Sequence, residues 1–133
     1  MTKLNRILIL SVLAAALALV PVFAQTAGKV DLSGTWTGYT ILGDGTRAEF
    51  NLILEREGAS YSGKITSETG MIPEMAIKNV IFKDPALTFE VELPDGAGYQ
   101  LIKIDLKLEA DMLKGIWLDA DTNSNVIELA RKK

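Results

Sequence analysis

Clusters of turn-forming residues divide the chain after residue 31 into short segments of similar length. Gly, Pro, Asp and Asn are frequent in these clusters because each favours the backbone conformations of tight turns. The clusters are Gly43-Asp44-Gly45, Glu57-Gly58-Ala59, Glu68 to Pro73, Lys83-Asp84-Pro85, Pro94 to Gly98, Ala110-Asp111 and Asp119 to Asn125. These seven connections predict eight strands, with no long segment of helical period between them. The sequence therefore predicts an all-β, up-and-down antiparallel meander.

Apolar and polar residues alternate within the predicted strands. In the sixth strand, one face carries Ile102, Ile104, Leu106 and Leu108, and the other carries Lys103, Asp105, Lys107 and Glu109. One dry and one wet face are typical of an antiparallel sheet curled around a single core. The predicted fourth strand, Glu74 to Lys83, instead contains three consecutive apolar residues, Val80 to Phe82. We therefore predict a bulge or bend in that strand.

A five-residue pattern with a central glycine between two apolar residues occurs three times, at Leu32–Trp36, Tyr61–Ile65 and Leu113–Trp117. Because strand side chains alternate between faces, the glycine shares a face with both apolar residues. An inward glycine leaves room for a bulky neighbour or for sharp strand curvature. We interpret the pattern as part of the geometry of a small closed barrel.

A sheet with no covering helix is expected to close on itself, because open strand edges invite aggregation. Closure makes the first strand, which includes Trp36, the neighbour of the last strand, Ile127 to Arg131. We predict that Trp36 fills one end of the barrel. We also predict that the guanidinium of Arg131 lies within about 6 Å of the indole ring.

These features resemble the calycin superfamily, which includes lipocalins, fatty-acid-binding proteins and the avidin group. The resemblance rests on Gly34-Thr35-Trp36 at the start of the first strand and on Arg131 near the end of the last. It covers nearly all of the predicted barrel in architecture and does not single out one member family. It implies a barrel, over residues 32–133, that binds a small and often hydrophobic molecule in its interior.

The first 24 residues are expected to be a secretory leader. Lys3 and Arg6 precede an apolar run from Ile7 to Val20, and Val22-Phe23-Ala24 has the small-residue spacing of a cleavage site. The alternative is an uncleaved membrane anchor, for which the apolar run is at the short limit. We predict cleavage after Ala24, a linker over residues 25–31, and a periplasmic or secreted protein.

Composition excludes several functions. Without the leader, the chain would carry 12 basic and 17 acidic residues, a net charge of −5, which disfavours nucleic-acid binding. The chain has no cysteine and no histidine. Disulfides, Ser-His-Asp catalysis, histidine-ligated haem and the usual zinc sites are therefore excluded. Most carboxylates fall in turns or on wet faces, so we predict neither an enzyme nor a cofactor.

The segment Asp119 to Asn125 places oxygen-bearing side chains at every second position, as calcium loops do. Ser124 occupies the position where such loops need glycine, and Ala130 the position of the bidentate glutamate. The alternative is a hairpin loop whose Asp and Asn side chains bind their own backbone. We favour the hairpin and predict no metal site.

Several large side chains are expected to face the barrel interior, where they would either bind a ligand or only fill the core. The candidate ligand-binding residues are Trp36, Phe50, Tyr61, Asn79, Phe89, Ile104 and Trp117. Gln100 and Thr40 join Asn79 as candidates to hold the polar end of a ligand.

Two functions follow from these expectations. The first is a monomeric exported barrel that binds a small apolar ligand inside. The second is a filled barrel that acts through its outer surface on a protein or glycan, for which the outward Tyr39, Tyr99 and Leu101 are candidate contacts. Neither function involves nucleic acid or a membrane-spanning mature domain.

Overall fold

The computed structural model describes residues 30–133, which contain nine β-strands and no α-helix. The strands are β1 (Gly34–Ile41), β2 (Arg47–Glu57), β3 (Ser60–Thr66), β4 (Met75–Ala76), β5 (Lys78–Lys83), β6 (Ala86–Asp95), β7 (Gly98–Glu109), β8 (Met112–Leu118) and β9 (Ser124–Arg131). The predicted leader lies outside the described residues, as does most of the predicted linker. No helix within residues 30–133 is long and apolar enough to cross a membrane.

All nine strands belong to one antiparallel sheet in the order β4-β3-β2-β1-β9-β8-β7-β6-β5. Each neighbouring pair is a hairpin except β1 and β9, which pair across nearly the whole sequence. In that pair Trp36 lies opposite Arg131 and Thr40 opposite Ile127. The predicted all-β meander and its closure through the first and last strands are therefore confirmed.

The predicted fourth strand is divided into β4 and β5, which gives nine strands where eight were expected. The pairing register between β5 and β6 shifts between Lys78 and Ile81, and Asn79 has a φ of 53°. This irregularity is the predicted bulge. It also brings the two sheet ends together, since Ile77 N–H donates to the Gly63 carbonyl and Ser60 Oγ donates to the Val80 carbonyl. The barrel is thus nearly closed along this seam.

The core is built from the dry faces that alternation predicted. Each of β2, β6 and β7 buries every second side chain over most of its length. The fully buried large side chains are Trp36, Leu32, Leu52, Leu54, Leu87, Leu106, Leu113, Leu129 and Val91. With no disulfide available, this apolar burial stabilises the domain at roughly 25 cal/mol per Å² removed from water.

Three glycines allow neighbouring strands to approach where the sheet curves. A Cβ at Gly38, Gly63 or Gly115 would lie 1.9 Å from a backbone carbonyl oxygen of the adjacent strand. No side chain fits at that distance, so the curvature requires glycine at these positions. Gly34, the central residue of the first repeat, differs because it is exposed and has a φ of +124°.

The end of the barrel that contains Trp36, which we call the closed end, is covered by side-chain contacts. The indole is fully buried, and its Nε1 donates a 2.9 Å hydrogen bond to the Leu32 carbonyl. The Tyr61 hydroxyl accepts a hydrogen bond from Leu32 N–H, also at 2.9 Å. The guanidinium of Arg131 lies 4.3 Å from the centre of the Trp36 ring and donates to the Ser33 carbonyl. The predicted stacking of these two side chains is confirmed.

Candidate functional site

A cavity of about 380 Å³ lies at the opposite end of the barrel, which we call the open end. Its wall is formed by inward side chains of eight strands. On the strands these are Thr40, Phe50, Ile65, Met75, Val91, Leu93, Gln100, Ile102, Ile104, Trp117 and Ile127. The volume lies in the range of small-molecule sites, which are mostly apolar concavities of about 300–1,000 Å³.

Connections between strands complete the wall. Leu42 and Gly43 come from the β1–β2 connection, and residues 71–73 (Met-Ile-Pro) come from the long β3–β4 connection. Met71 is 45% exposed although it lines the cavity, so it lies at the rim. Trp117 is half-buried, and its Nε1 donates a 3.0 Å hydrogen bond to the Ile41 carbonyl. That bond holds the indole against the cavity and leaves its ring face as apolar lining.

Three polar side chains interrupt this apolar wall: Thr40, Gln100 and Asp119. Thr40 Oγ1 already donates a 2.8 Å hydrogen bond to the Val126 carbonyl. Asp119 directly follows β8, and its Oδ1 accepts hydrogen bonds of 2.9 Å from the backbone N–H groups of Asp121 and Asn123. The loop thus has the hydrogen bonding of the hairpin alternative, with the Asp side chain binding its own backbone.

The Asp119 carboxyl keeps its charge at neutral pH. Partial burial raises its pKa, but hydrogen bonds from Asn123, from the Asp121 backbone and from the Gln100 side chain outweigh this effect. The net pKa is therefore below the usual value for an aspartate. A fixed negative charge consequently lies at the mouth of an apolar cavity.

Of the seven residues predicted to face the interior, three line the cavity, three are core residues outside the cavity lining, and one, Asn79, lies elsewhere. Phe50, Ile104 and Trp117 line the cavity. Trp36, Tyr61 and Phe89 are buried, but they pack outside the cavity lining and serve as core.

The expected inward position of Asn79 is wrong. This residue is exposed on the outer face, and its side-chain amide donates to the Glu90 carboxylate. The positive φ of Asn79 within the β5 bulge interrupts the alternation of inward and outward side chains. The inward position expected from that alternation therefore does not hold at Asn79. The other polar candidates, Gln100 and Thr40, do line the cavity.

Sequence reasoning missed the contribution of the connections. Residues 71–73 lie in a turn-rich segment, yet they are all apolar. An apolar run within a long connection indicates that the connection packs over the barrel interior, as these residues do at the cavity. Asp119 is predicted only as part of a hairpin loop or as a calcium ligand, although its position at the end of β8 also places it at the open end.

The outer face carries exposed apolar side chains, as predicted for Tyr99 and Leu101, which are 71% and 41% exposed. Tyr39 is less available than expected. It is half-buried, its hydroxyl donates to Glu128, and the Arg47 guanidinium lies 3.8 Å from its ring centre.

Comparison with known proteins supports the architecture. No protein-family model matches the chain, and no curated protein matches it. The solved structure of a redesigned β-barrel is similar, with a TM-score of 0.61 and 17% sequence identity over 77% of this chain and 92% of that one. At this identity the likeness concerns the fold alone. The protein is thus a small, nearly closed antiparallel β-barrel. The comparisons do not assign it to any calycin family.

Proposed function

We propose that this protein binds one small, mostly apolar molecule in the cavity at the open end of its barrel. The observation that carries the proposal is the difference between the two ends. At the closed end Trp36 is fully buried beneath the Arg131 guanidinium, whereas a cavity of about 380 Å³ lies at the other end. An apolar concavity of this size with a few polar groups in its wall is the usual form of a small-molecule site.

The lining sets the expected affinity. A ligand that buries roughly 250 Å² of apolar surface would gain about 6 kcal/mol before the costs of immobilisation. Dissociation constants from the micromolar to the millimolar range are therefore expected. Specificity would come from the few polar groups, since an apolar wall alone discriminates poorly.

Titration with the neutral fluorescent probe Nile red tests the proposal. Leu93→Trp would narrow the cavity from the end of β6 and should weaken probe binding about tenfold or more. Leu101→Trp makes the same substitution on the outer face of the adjacent strand and serves as the matched control. Failure of the probe to bind when the wild-type protein is titrated to about 1 mM, or equal loss in both variants, would contradict the proposal.

A second candidate function is recognition of a glycan by the outer face. Tyr99 and Leu101 border a shallow depression that also contains two paired sets of polar groups, Lys78 with Glu92 and Asn79 with Glu90. An exposed aromatic ring beside carboxylate and amide groups offers the stacking and hydrogen bonds that a sugar can use. Tyr99→Ser should abolish glycan retention without changing Nile red binding, and unchanged retention would reject this candidate.

Export is the remaining part of the proposal. A leader removed after Ala24 would deliver the barrel to the periplasm or the medium. Mass spectrometry of the protein purified from its natural host should give a mature chain that begins at Gln25. A chain that retains its first 24 residues would instead support the anchor alternative.

A further inference from the structure

We propose that the cavity selects apolar molecules that carry an ammonium group and rejects those that carry a carboxylate. This inference rests on the proposed function, because it names the class of ligand for the same cavity. Its basis is the charge of the cavity lining and of the surrounding rim, both of which are acidic.

The first observation is the lining itself. Among residues 30–133, Asp119 is the one charged residue that lines the cavity, and neither Lys nor Arg does so. A bound carboxylate would therefore meet a negative charge with no cation to compensate it. An ammonium group would instead find a carboxylate acceptor, with the Gln100 and Thr40 side chains on the same wall.

The second observation is independent and concerns the open-end rim, which we define as the connecting segments 42–46, 67–74, 96–97 and 119–123. The up-and-down topology brings these four connections to one end of the barrel. The rim contains no Lys or Arg, and it carries the acidic residues Asp44, Glu68, Glu74, Asp119 and Asp121.

Contacts around the rim leave most of this charge uncompensated. Glu74 pairs with Lys64 at 3.3 Å, while Arg47, the first residue of β2, stacks on Tyr39. Hydrogen bonds from the Thr46 side chain and from the Thr46 backbone N–H, the latter at 2.9 Å, lower the pKa of the Asp44 carboxyl and keep it ionised. An acidic rim around a low-dielectric cavity attracts cations and slows the approach of anions.

The size of the effect follows from Coulomb's law. An ammonium group about 6 Å from the Asp119 carboxylate, at an effective dielectric constant between about 20 and 40, gains roughly ten- to a hundredfold in affinity over a neutral group. A carboxylate at the same position loses a similar factor. The preference should weaken with added salt, because the mouth of the cavity is open to solvent.

Three ligands with the same apolar chain test this inference: decylamine, decanol and decanoate. Calorimetric titration below their micelle-forming concentrations should rank them in that order, with at least about tenfold between amine and alcohol. Asp119→Asn should reduce the preference for amine over alcohol about tenfold and leave decanol binding unchanged. Asn can still accept the two backbone N–H groups of the loop through its oxygen, but its amide nitrogen cannot accept the bond from Asn123 Nδ2, so unchanged decanol binding is the check that the loop keeps its shape.

Asp105→Asn is the matched control, since Asp105 is exposed on the outer face of β7 and belongs neither to the cavity lining nor to the rim. It should change the amine preference less than about threefold. Equal affinity for all three ligands, or tightest binding of decanoate, would overturn the headgroup inference while the binding proposal stands. No binding of any ligand would reject the binding function itself. A loss of decanol binding in Asp119→Asn would show that Asp119 acts only on loop structure.

Discussion

Replacement of Arg131 by alanine tests whether the closed end depends on the contact between the first and last strands. The Arg131 side chain is about 30% exposed, and its guanidinium covers a fully buried indole at 4.3 Å. Its Nη1 also donates a 3.1 Å hydrogen bond to the Ser33 carbonyl. The ion pair with Asp111 is long, at 4.0 Å, and its partner is 80% exposed, so we assign it no stabilisation.

The expected cost follows from these contacts. A partly desolvated cation–π contact contributes about 1–2 kcal/mol, and the hydrogen bond to Ser33 contributes about 1 kcal/mol. Arg131→Ala should therefore destabilise the domain by about 2–3 kcal/mol. For a domain of this size, the loss corresponds to a fall in Tm of roughly 8–15 °C. Arg131→Lys should restore less than half of it, because an ammonium group cannot lie flat on the ring.

Urea unfolding followed by tryptophan fluorescence and circular dichroism measures this change as a lower midpoint with an unchanged slope. Lys132→Ala is the control, since Lys132 is exposed and its backbone N–H bond to the Thr35 carbonyl survives the substitution. An Arg131→Ala curve that overlays the wild type would refute the reasoning. Equal destabilisation by both variants would show that the loss does not depend on the specific contacts of Arg131 with Trp36 and Ser33.

Three further outcomes are expected. Gly115→Ala should cost about 3 kcal/mol or more in urea unfolding, since its Cβ would lie 1.9 Å from a carbonyl oxygen, whereas Gly98→Ala, with open space around it, should be neutral. The hydrogen bond to Glu128 raises the pKa of Tyr39, so ultraviolet titration should show one tyrosine that ionises above pH 10 and is absent in Tyr39→Phe. Because the folded pKa is the higher one, the stability from this bond is present below pH 10 and lost as pH rises through the raised pKa. Millimolar calcium should leave the Tm unchanged, and a reversible rise of several degrees would contradict the hairpin interpretation of residues 119–125.

Alternation along the strands was sufficient to predict the inner faces, because a period of two holds wherever pairing is regular. It failed at Asn79 because a bulge shifts the alternation there: the sequence predicts a bulge in this strand but not the residue at which it falls. The distinction between the two ends could have been predicted. Neighbouring strands of a meander run in opposite directions, so the first predicted strand and the seventh, which became β8, run the same way. Trp36 near the start of β1 and Trp117 near the end of β8 must therefore lie at opposite ends.

The unfilled volume could not be predicted in the same way. It depends on how far residues 71–73 reach over the barrel mouth, which strand patterns do not describe. The position of Gly115 was predicted from its repeat, whereas the 1.9 Å approach that makes it irreplaceable depends on the curvature of the assembled sheet.

The seam between β3 and β5 is the place where the barrel should open locally most often. Elsewhere around the ring, ladders of backbone hydrogen bonds join the strands, whereas among the described residues β5 is paired along one edge only, and that pairing contains a register shift. Its amide protons should exchange with solvent deuterium sooner than those of β1 and β9, because local opening there disrupts few bonds. The β3–β4 connection, whose residues 71–73 cover the cavity, lies beside the same seam. Local opening of the seam would therefore give the proposed ligand a route into the cavity while the β1–β9 pairing stays intact.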